Sequence, residues 1–359
     1  MKIFLSLLFI FPVFLGFSQK VKNVFAQQIG NQVSITYQIK GAKTGQRFAA
    51  KLLISNNGGS SYDYPFNSAE LSGDLAIVEA GEREIIWRPQ EVKGDNFKFK
   101  VEISITETMV FVEGGSFKMG SENGNPNEKP IHTVELSDFY ISKYEVTNAE
   151  YAKFLNAYGS AEVKQGEHKG RRMIVEDEWG IKKAGNTWEA QSGYENHPVV
   201  QVTWYGVNEY CKFYNARLPT EAQWEYAARG GKKSKGYEYS GSDNLNEVGW
   251  FEGDMVLRMF GGQTHPVGQK KANELGICDM SGNVWEWCLD DWHDSYQGKP
   301  NRLKSNGNEP WSEINTDNHF HSLRGGSWFN STYHCRSVHR SWNDSVNRYY
   351  GFLSFRVVI

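Results

Sequence analysis

Few groups in this chain could do chemistry, and their spacing limits what that chemistry is. There are four cysteines, Cys211, Cys278, Cys288 and Cys335. No Cys-x-x-Cys spacing occurs, which excludes a zinc ribbon and a thioredoxin-like motif. His-Glu-x-x-His, Gly-x-Ser-x-Gly and the P-loop pattern are absent as well. Carboxylates crowd one short stretch, where Asp279, Glu286, Asp290 and Asp291 surround Gly282, Trp285 and Trp287. Carboxylates with backbone carbonyls near glycine suit a hard cation such as calcium; the alternative is a solvated acidic turn packed by tryptophan. Histidines come late in the chain. His319 and His321 form His-x-His, with His293, His334 and His339 in the same region. They are either metal donors or ordinary loop residues. Arg324, Arg336 and Arg340 either line a pocket for an acidic or peptide ligand or are buried ion-pair partners of Glu286 or Asp290.

The elements that must position these groups fall into two regions. Over residues 20–106 the pattern is all-β. Val33, Ile35, Tyr37 and Ile39 alternate with polar residues, and so do Phe97, Phe99, Val101, Ile103 and Ile105. Asn56-Asn57-Gly58-Gly59 marks a turn between strand-like runs. This predicts a β-sandwich of immunoglobulin or fibronectin type, acting as a spacer or docking module. From residue 107 to 359 three helices are predicted. Thr147-Asn148-Ala149-Glu150 and Thr220-Glu221-Ala222-Gln223 are capping boxes, and Thr203 caps a helix whose inner face carries Val207, Tyr210, Cys211 and Tyr214. Gly159 and Gly230 are stops. Residues 160–196 read as a long polar surface loop, and the chain after Gly231 as largely irregular with short strands.

Composition narrows the function classes. The 359 residues carry a net charge of −3, so the chain is not a basic nucleic-acid binder and no nucleic-acid partner is expected. Aromatics reach 14% and glycines number 36, which suits a loop-rich fold whose gaps are filled by large rings. Met1-Lys2, the apolar run Ile3–Phe17 and the small residues at Gly16 and Ser18 read as a signal peptide over residues 1–18, cut after Ser18. No cysteine follows that run, so no lipid anchor is expected, and no later segment is apolar enough to span a bilayer. The expected location is periplasmic or extracellular.

Seven stretches then occur in order. They are Phe111–Gly120, Tyr144–Asn148, His197–Val200, Arg217–Tyr226, Gly282–Trp287, Arg324–Trp328 and Gly351–Val358. Together they resemble the formylglycine-generating-enzyme, or sulfatase-modifying-factor, domain family. The resemblance implies an α+β, irregular fold related to C-type lectins. It implies calcium, held by side-chain oxygens of Asp279 and Glu286 and backbone oxygens of Gly282 and Val284, with Asp279 standing where the family usually has Asn. Relatives that form carbon–sulfur bonds use iron from a separate helical domain, which the β-rich residues 20–106 do not provide.

The family's oxidases resemble one another in a Cys-x4-Cys pair after the Gly-Gly-Ser motif, whose two thiolates bind Cu(I). Here Asn330 takes the first position, and Cys335 falls at the second only if no gap precedes it. One thiol cannot make a two-sulfur site, so copper is not expected. Cys335 and Ser327 are the only candidates for catalysis. Alternatively, Cys335 pairs with Cys288 in a disulfide that staples two irregular segments of an exported protein. The expected ligand pocket is Trp285, Ser327, Trp328 and Arg336, taking a peptide or glycan in a non-oxidase binding or assembly protein. The rival is a formylglycine-generating oxidase that matures sulfatases, or a relative using another centre.

Overall fold

The computed structural model describes residues 4–5, 20–40, 47–66, 70–74, 78–79, 81–90, 96–105, 109–176, 180–214, 216–251, 263–312, 320–345 and 351–359. His319 and nearly all of the expected signal peptide lie outside them. The chain divides into two compact units, residues 1–108 and 109–359.

In the first unit, β1 (Lys20–Ile29), β2 (Gln32–Lys40), β6 (Gly81–Trp87) and β4 (Leu71–Gly73) lie side by side in that order. A second sheet carries β7 (Asn96–Ile105), β3 (Arg47–Ser55) and β5 (Val78–Glu79). Alternation explains the core between them. Val33, Ile35, Tyr37 and Ile39 of β2 are buried with Ile85 and Trp87 of β6, and they meet Phe48, Leu52 and Ile54 of β3 and Phe97 and Phe99 of β7.

The second unit is built differently. Two short antiparallel pairs open it. β8 (Met109–Val112) pairs with β11 (Phe139–Ser142), and β9 (Gly115–Met119) with β10 (His132–Leu136). Helix α1 (Asn148–Tyr158) starts at a complete Thr147–Glu150 capping box and stops at Gly159, which takes the left-handed conformation at φ 73°. α2 (Trp204–Phe213) is capped by Thr203, and α3 (Glu221–Ala228) by a second capping box, Thr220 with Gln223. α3 has no solvent-facing side. All eight of its residues are buried, Glu221, Gln223 and Glu225 among them. A mixed sheet follows in the order β16 (Ser341–Asp344), β15 (Phe320–Arg324), β14 (Trp285–Asp291), β17 (Leu353–Ser354), in which β17 runs parallel to β14.

The stretch 160–196 is more than a surface loop. It carries the hairpin β12 (Ile181–Ala184) and β13 (Thr187–Ala190), and Val163, Met173, Ile174 and Ile181 enter the core shared with α1, α2 and β14. Four apolar anchors in a Lys-, Glu- and Gly-rich sequence have no period, so the pattern hides them.

Candidate functional site

Three segments converge after α3: the turn 279–284, strand β14, and the loop 325–340. Backbone bonds tie turn to loop, with Gly282 N donating to Gly325 O at 2.8 Å and Trp328 N to Asn283 O at 2.9 Å. Gly282 is required here. Its φ is 88°, and a Cβ would lie 2.1 Å from the carbonyl oxygen of Trp250.

Glu286 is fully buried and fully engaged. Arg356 Nε donates to its Oε2 at 2.6 Å and Arg356 Nη2 to its Oε1 at 2.7 Å, while Trp224 Nε1 reaches Oε2 at 2.8 Å. The guanidinium also holds the carbonyls of Ser142 and Cys278. The expected calcium set therefore loses Glu286, whose charge is matched by Arg356 from the last residues of the chain. Asp279 behaves otherwise. Its φ is 60°, its Oδ2 accepts from Gly268 N at 2.6 Å, and its Oδ1 is buried without a partner. Burial lifts its carboxyl to about pKa 6. Nearby Glu145 is also buried, with Asn283 Nδ2 at 3.2 and 3.3 Å from its two oxygens. Burial, followed by the charges of Asp279 and Glu286, pushes its pKa well up. Among the described residues, no three His, Cys, Asp or Glu side chains form a metal-holding group.

At the loop, Ser327 Oγ donates to Asn330 Oδ1 at 2.6 Å, so the residue at the first thiol position is a hydrogen-bond partner of the buried serine. Cys335 ends a short 3-10 turn, Thr332–Cys335, and packs with Tyr239, Leu245 and Val248. Gly326 makes room for it: a Cβ there would sit 2.8 Å from Cys335 Sγ. Burial pushes the Cys335 thiol up to about 12, so it is neutral and unreactive at ordinary pH. The donor set does not fit Cu(I), because a single protonated thiol faces a hydrocarbon cluster and the other three cysteines lie elsewhere. All four are free thiols, which corrects the expected Cys288–Cys335 disulfide. Cys288 belongs to the core of α3 and the first hairpins, and Cys335 to its own small cluster.

The expected pocket is closed on most of its members. Trp285, Ser327 and Arg336 are each buried. Arg336 donates to Glu128 Oε1 at 2.8 Å and stacks on Tyr333 at 4.1 Å, so it is not a free cation. Glu128 is the partner that sequence reasoning missed. Burial raises its pKa, but hydrogen bonds from His339 and Arg336 outweigh that and bring it down to about 2. Arg324 and Arg340 are likewise ion-paired, but with α3 and not with Glu286 or Asp290. Both reach Glu221, and Arg324 also reaches Glu225. What this surface does expose is aromatic. Phe329 is 43% and Tyr333 44% exposed, beside partly exposed Trp328 and Phe352. Trp328 and Phe329 meet edge to face at 5.5 Å, and Phe329 and Phe352 stack at 6.3 Å. Phe329 and Tyr333 follow the Gly-Gly-Ser motif in the chain, but nothing in the sequence marked them as outward-facing.

Of the histidines, His293 stacks on Trp311 at 3.5 Å, and the rings of His334 and His339 meet edge to face at 5.0 Å. His321 lies in β15 against Trp204.

The sulfatase-modifying factor enzyme 1-like domain matches residues 95–359, and the chain belongs to that family. The serine/threonine-protein kinase Pkn1 of Chlamydia trachomatis is 34% identical over 75% of this chain and 41% of its own length. The chain spans about two fifths of the length of the kinase relatives it matches. A chaperone protein, LppX of Paenibacillus barcinonensis, is 32% identical over 59% of this chain and 82% of its own. The formylglycine-generating enzyme of Thermomonospora curvata is 32% identical over 53% of this chain and 74% of its own. Among solved structures, PvdO from Pseudomonas aeruginosa superimposes with a TM-score of 0.53 at 28% identity, covering 70% of this chain and 93% of that one.

Proposed function

We propose that this chain is a non-oxidase member of the family, an exported binding or assembly protein that takes a peptide or glycan on the aromatic surface around Trp328, Phe329 and Tyr333. The observation that carries this reading is the state of the thiol position. Asn330 replaces one sulfur and is bonded to Ser327, while Cys335 is buried and protonated. Neither Ser327 nor Cys335 is then available as a nucleophile, and oxygen activation by two thiolates has no donor pair. That a relative matched over 82% of its own length is named a chaperone is consistent with recognition without chemistry. The test is co-expression with a Cys-x-Pro-x-Arg peptide and mass spectrometry of that peptide. The expected product is the unchanged thiol; conversion to the aldehyde overturns the reading in favour of a formylglycine-generating oxidase.

Three further assignments belong to the same proposal. The N-terminal sheets are an immunoglobulin-like spacer. Calcium, where it binds, is held by Asp279 and the carbonyls of Gly282 and Val284, since Glu286 is committed to Arg356. Residues 1–18 are removed on export, so the mature chain begins at Gln19. N-terminal sequencing of the secreted or periplasmic protein checks this, and retention of Met1 would refute it.

A further inference from the structure

We propose that the end of the α2–sheet interface is a saccharide subsite, in which Trp204, Trp287 and His321 gather around a sugar hydroxyl. Trp204 opens α2, and its indole lies face to face on the His321 imidazole at 3.9 Å and 3°. Trp287 of β14 meets the same imidazole edge-on at 6.4 Å. Three nitrogens around this one ring, Trp204 Nε1, Trp287 Nε1 and His321 Nδ1, are buried with no hydrogen-bond partner. Asn208 Nδ2, one turn further along α2, is a fourth. Trp287 is fully buried and His321 more than nine-tenths buried. Unpaired buried donors are costly, and two indole N–H groups about one ring, with Asn208 Nδ2 beside them, make a group for which an oxygen acceptor is the natural complement.

The charge nearby selects the kind of oxygen. Asp291 Oδ1 lies 3.2 Å from His321 Nδ1, close enough for attraction but outside hydrogen-bond alignment. A carboxylate at that distance disfavours an anionic ligand. A hydroxyl suits both partners, because it accepts from an indole N–H and donates to the carboxylate. A carbonyl oxygen only accepts. The walls are rings: Tyr205 packs on Trp204 at 6.1 Å and on His168 at 4.8 Å, and aromatic walls suit the C–H faces of a sugar. Trp204 and His168 are partly exposed and Arg171 is exposed, which marks the open side. The subsite shares no residue with the Ser327–Cys335 surface, so it stands or falls separately from the function proposed there.

The test uses the full chain with 15N-labelled indoles and follows the twelve tryptophan N–H resonances. The probes are glucose and N-acetylglucosamine, with sodium acetate and glycerol as controls. Two resonances, the ones missing in Trp204→Phe and Trp287→Phe, are expected to move saturably with a monosaccharide. His321→Phe, which keeps the ring but removes its nitrogens, is expected to weaken that response by about tenfold or more. Asn208→Ala, on the partly exposed side of α2, weakens it less and does not threaten the fold. If Trp287→Phe does not fold, Trp204→Phe alone assigns one reporter. The proposal is overturned if neither resonance moves at tens of millimolar sugar, if acetate or glycerol moves them equally, or if all twelve shift together.

Discussion

Around α3, the buried arginines meet their carboxylates; around Asp279 and Trp204, buried polar atoms are left over. Arg324 places all three guanidinium nitrogens, on Glu221 at 2.9 Å, on Glu225 at 2.5 Å, and on the carbonyls of Ser337 and His339. Arg340 clasps Glu221 through two bonds, at 2.6 and 2.9 Å. This network replaces the regular elements that the second unit lacks, linking helix, sheet and loop through side chains. The contrast teaches how to read buried charge in a loop-rich fold. Where donors and acceptors match, the charge is architecture. Where one is left unmatched, as at Asp279 Oδ1, the group is a candidate for binding.

Breaking the matched side should have the largest effect. Arg324→Met leaves Glu221 and Glu225 short of a partner and should cost about 3–5 kcal/mol, read as a lower urea midpoint for the second unit. A loss below about 1 kcal/mol would mean that the network is not what holds the segments together.

Acid attacks the same network from the other side. Burial raises the pKa of Glu221, but the charges of Arg340 and Arg324 outweigh it and bring it from 4.5 to about 2. A carboxyl depressed in the folded state stabilises fully above its unfolded value and loses that contribution as pH falls through the folded one. Stability should therefore drop by up to about 3 kcal/mol between pH 4.5 and 2 from this group. Glu221→Gln should flatten that part of the profile. An unchanged slope would count against the pairing.

The unmatched side is tested by calcium. If Asp279 Oδ1 meets a cation, a hundredfold excess over the dissociation constant adds about 2.7 kcal/mol. A chelator should then lower the melting temperature by a few degrees, and Asp279→Ala should abolish the difference. No chelator effect on the parent chain removes calcium from this site.

The parts of the structure legible in the sequence were those governed by local rules. Thr147, Thr203 and Thr220 cap their helices as their spacing requires, and the β2 alternation buries Val33, Ile35, Tyr37 and Ile39. What was not legible depends on contacts far along the chain. Glu128 lies 208 residues from Arg336 and Arg356 lies 70 from Glu286, so no local pattern announces either pair. α3 misled for the same reason: a helix with Glu221, Gln223 and Glu225 reads as half-solvated until the arginines that meet it are in place.

The smallest expected effect sharpens the comparison most, because it concerns the one residue that the resemblance singled out for chemistry. Cys335 belongs to the matched side in a different sense: its thiol is satisfied by hydrocarbon, packed on Tyr239, Leu245 and Val248. Ellman's reagent should react with none of the four cysteines in the native chain and with all four after denaturation, since each is buried. Cys335→Ala should cost roughly 1–2 kcal/mol, the scale of a small core truncation, and should leave ligand binding unchanged. A rapidly reacting native thiol that disappears in Cys335→Ala would show a nucleophile where this packing has a filler, and with it the case for a surviving catalytic centre.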